Sequence, residues 1–454
     1  MRSRLITRLV RREIFFGWYI VAAGMIINML IGGLVMHSFS FYVAELKAEY
    51  LWSASLFAFA FTLTRVESGV LGPIQGWLID RFSPKTMIRW GIASTALGMF
   101  AFSRLWDEGS FIGFYFLISI GASVGGFMTI SVVTVTWFER LRSRALGFMA
   151  MGFGLGGFLP PVVGALIDAV GWRWTAILSA GVLLVVGMAL SSLFVRDPRE
   201  KGMEPDGGSR PSATSGSGGA AARQDPNSSY RHRDFTAREA LRTRAFWALA
   251  LAHGTPLMVI SGMMVYFATR VQEIDGLTAA EAGVAWSLMS AFQLVGQFTM
   301  GYLGDVISKR LILLFCMVGH GAAAVIFGIA DSYWMVMLCS VVNGLAWGAR
   351  GPLITALRAD YFGASSFGQI MGWSSTVMML FMVAGSLVVG TLRDATGDFT
   401  LGFTVVGIGA ATGLLWIMIA SRPRLAQVVA AARQLSPISA ELIAVSRPNR
   451  SSSA

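Results

Sequence analysis

Charged residues are scarce in this chain: they form 13% of the sequence, against about 25% in an average soluble domain. Cysteine is rarer still, since only Cys316 and Cys339 are present. This excludes a disulfide framework and a cysteine-rich metal site. Hydrophobic residues reach 55%, so the chain cannot cover itself with a solvated surface. The composition therefore excludes a soluble fold and favours a membrane protein.

Long apolar runs recur along the sequence, and each is long enough to cross a bilayer core of roughly 30 Å as a helix. The short alternating segments typical of membrane barrels are lacking. The sequence therefore predicts an all-α membrane protein with twelve transmembrane helices in two pseudo-symmetric six-helix bundles. The expected spans are 16–38, 54–79, 86–105, 110–135, 143–167, 173–195, 245–268, 281–304, 311–330, 333–357, 368–391 and 400–420.

The positive charges are divided unevenly between the two sides of this topology. With both termini inside, 29 of the 36 Lys and Arg residues fall in cytoplasmic segments and 5 in outer loops. Arg358 is counted on the inner side, because the tenth span is expected to end at residue 357. This bias obeys the positive-inside rule and predicts a multi-pass protein of the cell (inner) membrane with both termini cytoplasmic. It explains the net charge of +11 without a nucleic-acid partner.

Two segments of the first half return in the second half. Residues 76–81 resemble residues 301–306, and residues 164–171 resemble residues 390–397, at offsets of 225 and 226. A duplicated, strongly apolar chain is typical of transporters built from two homologous halves. The expected domains are an N-terminal bundle, a Gly/Ser/Arg-rich cytoplasmic linker, a C-terminal bundle and a cytoplasmic tail, at 1–195, 196–244, 245–421 and 422–454.

The first copy of the repeat resembles the signature loop of the major facilitator superfamily, Gly-x-Leu-x-Asp-Arg-x-Gly-Arg-Arg/Lys. Gly76, Leu78, Asp80, Arg81 and Lys85 match that pattern. A degenerate second copy follows the eighth span, with its matches at Gly301, Leu303, Asp305, Lys309 and Arg310. The resemblance covers nearly the whole chain and implies alternating access by two rocking bundles. It also implies that Asp80, Arg81 and Asp305 are gating residues, with Asp80 meeting a helix start of the opposite half.

Three charges lie well inside the predicted spans, away from their ends, where an ionised group is costly and normally paired or turned to a wet cavity. Arg65 and Arg350, one from each half, are candidate ligands for an anionic substrate, because a guanidinium matches a carboxylate with two hydrogen bonds. A structural role, in which they anchor helix ends or neutralise buried acids, is the alternative. Glu67, which lies two residues from Arg65 on a different helix face, is the main candidate for proton coupling.

Neutral polar residues complete the predicted binding site. Asn343 and Trp347 lie near Arg350 on one face of the tenth span. Gln293 and Gln297, one turn apart in the eighth span, can hydrogen-bond a carboxylate or a hydroxyl. His253 is a weaker candidate for proton coupling, because a lone histidine in an apolar helix is more often a packing residue.

Three short segments are similar in sequence to the monocarboxylate and oxalate/formate transporter group of the superfamily. They are Gly72-Pro73, Gly351-Pro352 and Asp360 to Gly363. That group commonly relies on a basic residue in the eighth span, where this chain has the two glutamines. The resemblance implies a transporter of a small organic anion such as a monocarboxylate, driven by protons or by exchange with a counter-substrate.

Two other functions stay open at this point. One is a proton-driven exporter of drugs or metabolites, which would use Glu67 and aromatic and Met-rich walls. The other is a membrane receptor that has lost transport. The sequence predicts no enzyme, cofactor or metal site, because it shows no catalytic triad, phosphate loop or metal-ligand spacing.

Overall fold

The computed structural model describes residues 14–207, 234–274 and 277–423, and this part of the chain folds as twelve long helices. The predicted all-α fold with twelve membrane helices is confirmed. The helices are α1 Phe16–Tyr50, α2 with segments Ala54–Val70 and Gly72–Arg81, α3 Pro84–Phe102, α4 Glu108–Trp137, α5 Arg142–Val170, α6 Trp172–Ser191, α7 Arg244–Gln272, α8 Ala279–Leu303, α9 Lys309–Gly328, α10 Tyr333–Phe362, α11 Phe367–Thr396 and α12 Thr400–Ile419.

Three helices extend five or more residues beyond their predicted ends, among them α11, which reaches Thr396. Helix α1 continues past residue 38 to Tyr50 through a π-helical turn at Gly32–His37. Helix α10 continues past residue 357 to Phe362, and this extension places Arg358 inside the helix instead of in a loop. The prediction failed at α10 because the extension includes charged residues, which usually mark the end of a membrane span.

Eight of the described helices are long and apolar enough to cross a membrane by length and composition alone. The four that fall below this level are α2, α3, α8 and α10. Three of these, α2, α8 and α10, hold the predicted polar site residues. In α8 and α10, polar and charged side chains that face the interior lower the hydropathy of the helix.

Glycines allow close helix packing inside each half. A Cβ added to Gly121 would lie 2.5 Å from the backbone nitrogen of Thr95, so α4 packs directly on the backbone of α3. The same holds for Gly152 against α1 and for Gly348 against α8. These glycines therefore allow tight helix packing within the bundles.

A second set of glycines joins the two halves. A Cβ on Gly76 of α2 would lie 2.3 Å from the carbonyl oxygen of Gly368 in α11. A Cβ on Gly147 of α5 would lie 2.6 Å from the carbonyl oxygen of Gln297 in α8. The α2–α11 and α5–α8 contacts are equivalent under the sequence repeat. They run from the helix middles to the side of the bundle at which α1 begins and α12 ends, here called the terminal side.

The linker and the tail are described only in part. Short turns occupy Pro198–Lys201 and Pro205–Gly207, and a capped five-residue helix lies at Ala237–Leu241. The middle of the predicted linker and most of the tail lie outside the described residues. The boundaries of the four predicted domains therefore stay a prediction.

Candidate functional site

A cavity of about 440 Å³ lies between the two halves, above the α2–α11 and α5–α8 contacts. Arg65 of α2 and Arg350 of α10 both line it, so the two candidate arginines face one space. The volume falls in the range of about 300–1,000 Å³ that is typical of small-molecule sites.

Arg350 is held at the cavity wall by neutral acceptors. Its Nε donates to Nε2 of His320 at 3.3 Å, and its Nη1 donates to the backbone oxygen of His253 at 2.9 Å. Pro256, in the same turn of α7, interrupts the regular helix ladder close to this carbonyl. The side chain is 2% exposed, and the structure describes no ion pair to it. The positive charge of Arg350 is therefore not neutralised by an acid in the described part of the chain.

A buried chain of hydrogen bonds, here called the relay, holds the Arg350 side chain in its orientation. Nδ1 of His320 lies 2.8 Å from Oδ1 of Asn343, and the Asn343 amide donates to the sulfur atoms of Met263 and Met289. Because Nε2 of His320 accepts from Arg350, the ring fits the neutral tautomer with its proton on Nδ1.

Asn343 was expected to bind substrate directly, but in the structure it is fully buried, and its described contacts are with this relay. It lies on the same face of α10 as Arg350, two turns farther from the terminal side. At that level its amide meets α7, α8 and α9. Helical spacing gives the face of α10 correctly but does not show where along that face the cavity ends.

Glu67 lies behind the cavity wall in the first half. It is 4% exposed and accepts hydrogen bonds from Ser119 at 3.0 Å, Ser68 at 3.2 Å and Gln75 at 3.3 Å. Ser68, Ser119 and Gln75 line the cavity themselves. Glu67 is thus connected to the cavity through neutral donors.

The other predicted site residues reach the cavity. Gln293, Gln297, Trp347 and His253 all line it. Oε1 of Gln297 and Nδ1 of His253 have no hydrogen-bond partner within the described structure. These atoms are therefore available to a ligand, in contrast to the committed atoms of Asn343.

Methionine dominates the apolar part of the wall. Six methionines line the cavity, and four of them come from α11. They are Met36, Met128, Met371, Met378, Met379 and Met382. Unbranched, polarisable thioether side chains adapt to irregular apolar shapes. The cavity thus combines an adaptable apolar surface with a few fixed polar groups.

Two repeat-related acids close the terminal side. Oδ1 and Oδ2 of Asp80 accept from the backbone N–H groups of Gly368 and Gln369, at 3.0 and 2.9 Å. Asp80 thereby caps the start of α11, where the first N–H groups of a helix lack partners. The expected meeting with a helix start of the other half is therefore present.

Asp305 makes the equivalent contact in the opposite direction. Its carboxylate accepts from the backbone N–H groups of Ser143 and Arg144, at 2.9 and 3.2 Å, at the start of α5. Burial raises the pKa of the Asp305 carboxyl above its ordinary value, although the two backbone hydrogen bonds offset part of this rise. The Arg81 side chain is exposed at the end of α2, and its proposed gating role stays a prediction.

An ion-pair cluster adds to the closed terminal side. Arg142 of α5 and Lys309 of α9 both pair with Asp360 of α10. Arg142 also donates to the backbone oxygens of Phe138 and Val135, so each of its three nitrogen atoms has an acceptor. This cluster links the first half to the second half beside the two acid contacts.

Sequence reasoning missed two charged or titratable groups that the structure brings to this region. His320 is the partner of Arg350, and Arg358 is a fully buried arginine of α10. The relation of His320 to Arg350 runs between two helices and has no signal along the chain. Arg358 was missed because the end of α10 was placed too early.

The described residues contain no group of three or more His, Cys, Asp or Glu side chains that could hold a metal ion. Cys316 and Cys339 are buried free thiols, as expected from their apolar context.

Comparison with known proteins gives one family. The family model described as Major Facilitator Superfamily matches residues 14–291 and 264–450. The oxalate:formate antiporter of Oxalobacter formigenes is 24% identical over 372 residues, which cover 78% of this chain and 80% of that protein. Monocarboxylate transporter 13 of Bos taurus is 23% identical over 405 residues, or 86% of each chain.

A solved structure shows the same fold. The human organic anion transporter MFSD10 (TETRAN) superposes with a TM-score of 0.66 at 16% identity, covering 88% of this chain and 98% of that one. The predicted resemblance to the monocarboxylate and oxalate/formate group is confirmed by the named relatives. The chain is a multi-pass membrane transport protein and belongs to the major facilitator superfamily.

Proposed function

We propose that this protein is a secondary active transporter of a small organic anion such as a monocarboxylate. The observation that carries the proposal is Arg350, a guanidinium at the cavity wall whose described partners are all neutral. A buried cation without an acidic partner leaves a positive potential in a low-dielectric space, and this favours a negatively charged ligand. Arg65 adds a second positive charge from the other half.

Neutral groups supply orientation in this site. Gln293 and Gln297 offer amide donors on the α8 wall, and Trp347 offers a flat apolar surface. The relatives named as an oxalate:formate antiporter and a monocarboxylate transporter support a carboxylate as the anionic group.

Transport proceeds by alternating access in this proposal. The Asp80 and Asp305 contacts form the gate on the terminal side, and they break when the two halves rock apart. The excess of Lys and Arg on the terminal side supports a cytoplasmic location for it, with the chain in the cell (inner) membrane and both termini in the cytoplasm.

Coupling uses Glu67 or a counter-substrate. Glu67 reaches the cavity through Ser119 and Gln75, so a proton on Glu67 can change how these groups face a ligand. His253 is less suited to carry a proton, because its backbone oxygen holds the Arg350 guanidinium and a second positive charge on the ring would lie close to that cation.

A proton-driven exporter of drugs or metabolites is the second candidate. The methionine-rich wall of the cavity favours it, since thioethers adapt to apolar ligands of different shapes. The charge of Arg350 is the feature that this candidate leaves unused.

Uptake into proteoliposomes distinguishes the two candidates. A panel of labelled carboxylates and of neutral and cationic drugs is offered with and without an imposed proton gradient. The anion proposal predicts uptake of at least one carboxylate and its loss in Arg350→Gln. Transport of the drugs with no carboxylate uptake, unchanged in Arg350→Gln, would establish the exporter instead.

A further inference from the structure

Arg358 is a second buried cation on α10, eight residues beyond Arg350 toward the terminal side. At a rise of about 1.5 Å per residue, the two residues lie about 12 Å apart along the helix. Arg358 is 0% exposed, and its Nη1 donates to the sulfur atom of Met371 at 2.7 Å. Its Nε and Nη2 have no hydrogen-bond partner in the described part of the chain.

Other buried arginines of the molecule show what a structural role looks like. Arg142 meets Asp360 and two backbone carbonyls, and Arg270, although its Nε has no partner in the described part of the chain, donates from Nη2 to the carbonyls of Gly328 and Ala330. Arg358 has a thioether, a weak acceptor, in place of these partners. A role in anchoring a helix end therefore does not explain why Arg358 is buried with a thioether as its described acceptor.

The two unpartnered nitrogen atoms lie on the same edge of the guanidinium. Nε–H and Nη2–H point in parallel from that edge, and this pair matches the two oxygens of a carboxylate. The partner that Arg358 lacks is thus a planar anion approaching its side.

Met371 separates Arg358 from the central cavity. It lines the cavity and is also the hydrogen-bond partner of Arg358. One helical turn earlier in α11, Gly368 and Gln369 are held by Asp80 in the closed gate. Arg358 therefore lies between the floor of the cavity and the gate, covered by the flexible thioether side chain of Met371.

We propose that Arg358 is a second anion-binding residue, which receives the carboxylate group of the substrate on the terminal-side half of the transport route. The inference rests on the proposed anion transport. Arg350 binds the anion while the terminal gate is closed, and Arg358 binds it once the gate has opened and the Met371 side chain has rotated away.

Sided kinetics test this role. Carboxylate uptake is measured in right-side-out and inside-out membrane vesicles for the wild type, Arg358→Met, Arg358→Lys and Arg350→Gln. The expected result for Arg358→Met is a rise of at least tenfold in KM from the terminal side, with KM from the opposite side changed less than twofold. Arg358→Lys keeps the charge but loses the fork, so its KM should lie between those of the wild type and Arg358→Met.

The outcomes separate this inference from the function on which it rests. If the wild type carries a carboxylate and Arg350→Gln abolishes transport, but Arg358→Met changes both sides equally or neither, then only the role of Arg358 is overturned. If the wild type carries no carboxylate, both proposals fail.

A stability measurement guards against a folding defect. Removing a buried charge that lacks a partner should not lower the melting temperature of Arg358→Met, whereas the matched Arg142→Met variant should melt at a lower temperature because it breaks an ion pair. A lower melting temperature for both variants would show that Arg358 is structural and would contradict the proposal.

Accessibility gives a further readout. Cys316 and Cys339 are first replaced by alanine, and Arg358→Cys is then exposed to a water-soluble thiol reagent from the terminal side. Labelling should be slow with the gate intact and faster with the gate weakened by Asp80→Asn. Equal labelling rates in the two backgrounds would contradict the proposal.

Discussion

Arg350 and its hydrogen-bond partners form the central part of the candidate site. The guanidinium donates from Nε to His320 and from Nη1 to the backbone of His253, so its plane is fixed before any ligand arrives. Neither acceptor carries a negative charge, and the positive charge remains available to the cavity. Fixing a cation without neutralising it prepares the site for an anion at little cost in side-chain entropy.

His320 is predicted to set the affinity of the site without touching the substrate. His320→Phe removes the acceptor of Arg350 and the donor to Asn343, leaving two buried polar groups unpaired at about 1–3 kcal/mol each. Part of this loss should appear as a rise in substrate KM of roughly tenfold or more, since each tenfold change corresponds to about 1.4 kcal/mol. The measurement is the concentration dependence of carboxylate uptake.

His320→Gln is the matched control for this prediction. A glutamine amide has both an acceptor for Arg350 and a donor for Asn343, so this variant should keep KM within about threefold of the wild type. Equal KM values for the phenylalanine and glutamine variants would show that the relay does not position Arg350.

At this scale the sequence was informative about charges and poorly informative about their partners. Arg65, Glu67 and Arg350 were identifiable because an ionised group in an apolar run is costly and therefore indicates a pairing partner or a functional role. The contact between His320 and Arg350 joins residues thirty positions apart on neighbouring helices. Local spacing carries no information about such pairs, and so the relay became visible only in the structure.

The α2–α11 and α5–α8 pairs are the elements that hold the two halves together. Each pair combines a glycine that allows backbone contact with an acid that caps the partner helix. The two pairs are related by the sequence repeat, so the proposed gate is built twice with opposite polarity. We expect such a contact to open by separation of whole helices, because the acid and the glycine lie at the same end of each helix pair.

Gly76 is predicted to be essential for closure of this gate. In Gly76→Val a branched side chain would meet the backbone of Gly368 and Gln369, both within 3 Å of the first added carbon. The helices can then no longer approach, and transport should fall at least tenfold while the protein still reaches the membrane. Uptake rates normalised to the amount of protein in the membrane check this expectation.

Gly113→Val provides the control, since nothing lies within 4 Å of a Cβ at that position in α4. This variant should keep at least half of the wild-type rate. If both glycine variants transport equally well, close approach of α2 and α11 is not required for the cycle.

The repeated motif allowed the sequence to predict this element almost completely. Asp80 was expected to meet a helix start in the opposite half, and the structure places it at the start of α11. The pairing of Asp305 with α5 follows from the same repeat. Arg142 and Asp360 were not predicted as a pair, because the two residues lie on different halves and outside the repeated segments.

The whole molecule is symmetric in fold and asymmetric in charge. The first half brings Arg65 and Glu67 to the centre, and the second half brings Arg350. In the proposed mechanism the symmetric parts, helices and gate contacts, serve the movement that both halves share. The asymmetric charges are the proposed determinants of ligand and coupling, and the repeat, which predicts the fold, carries no information about them.

Glu67→Gln is predicted to separate coupling from transport. The glutamine can still accept a hydrogen bond from Ser119, but it cannot take up and release a proton. Proton-driven accumulation of substrate should be lost, while exchange of labelled for unlabelled substrate at equal pH should continue at a rate within about threefold of the wild type. Both processes can be measured in the same proteoliposomes.

Glu139→Gln is the control, because Glu139 is exposed in the loop before α5. It should leave both accumulation and exchange intact. Full accumulation in Glu67→Gln would remove Glu67 from the coupling mechanism and leave exchange with a counter-substrate as the driving reaction.

The most direct test of the central claim is equilibrium binding of a carboxylate to the purified protein, compared with binding of its methyl ester. The ester keeps the shape of the ligand but has no charge for Arg350 to attract. The account predicts that the acid binds at least a hundredfold more tightly than the ester in the wild type, and that Arg350→Gln loses this preference. Equal affinity for acid and ester in the wild type would contradict it.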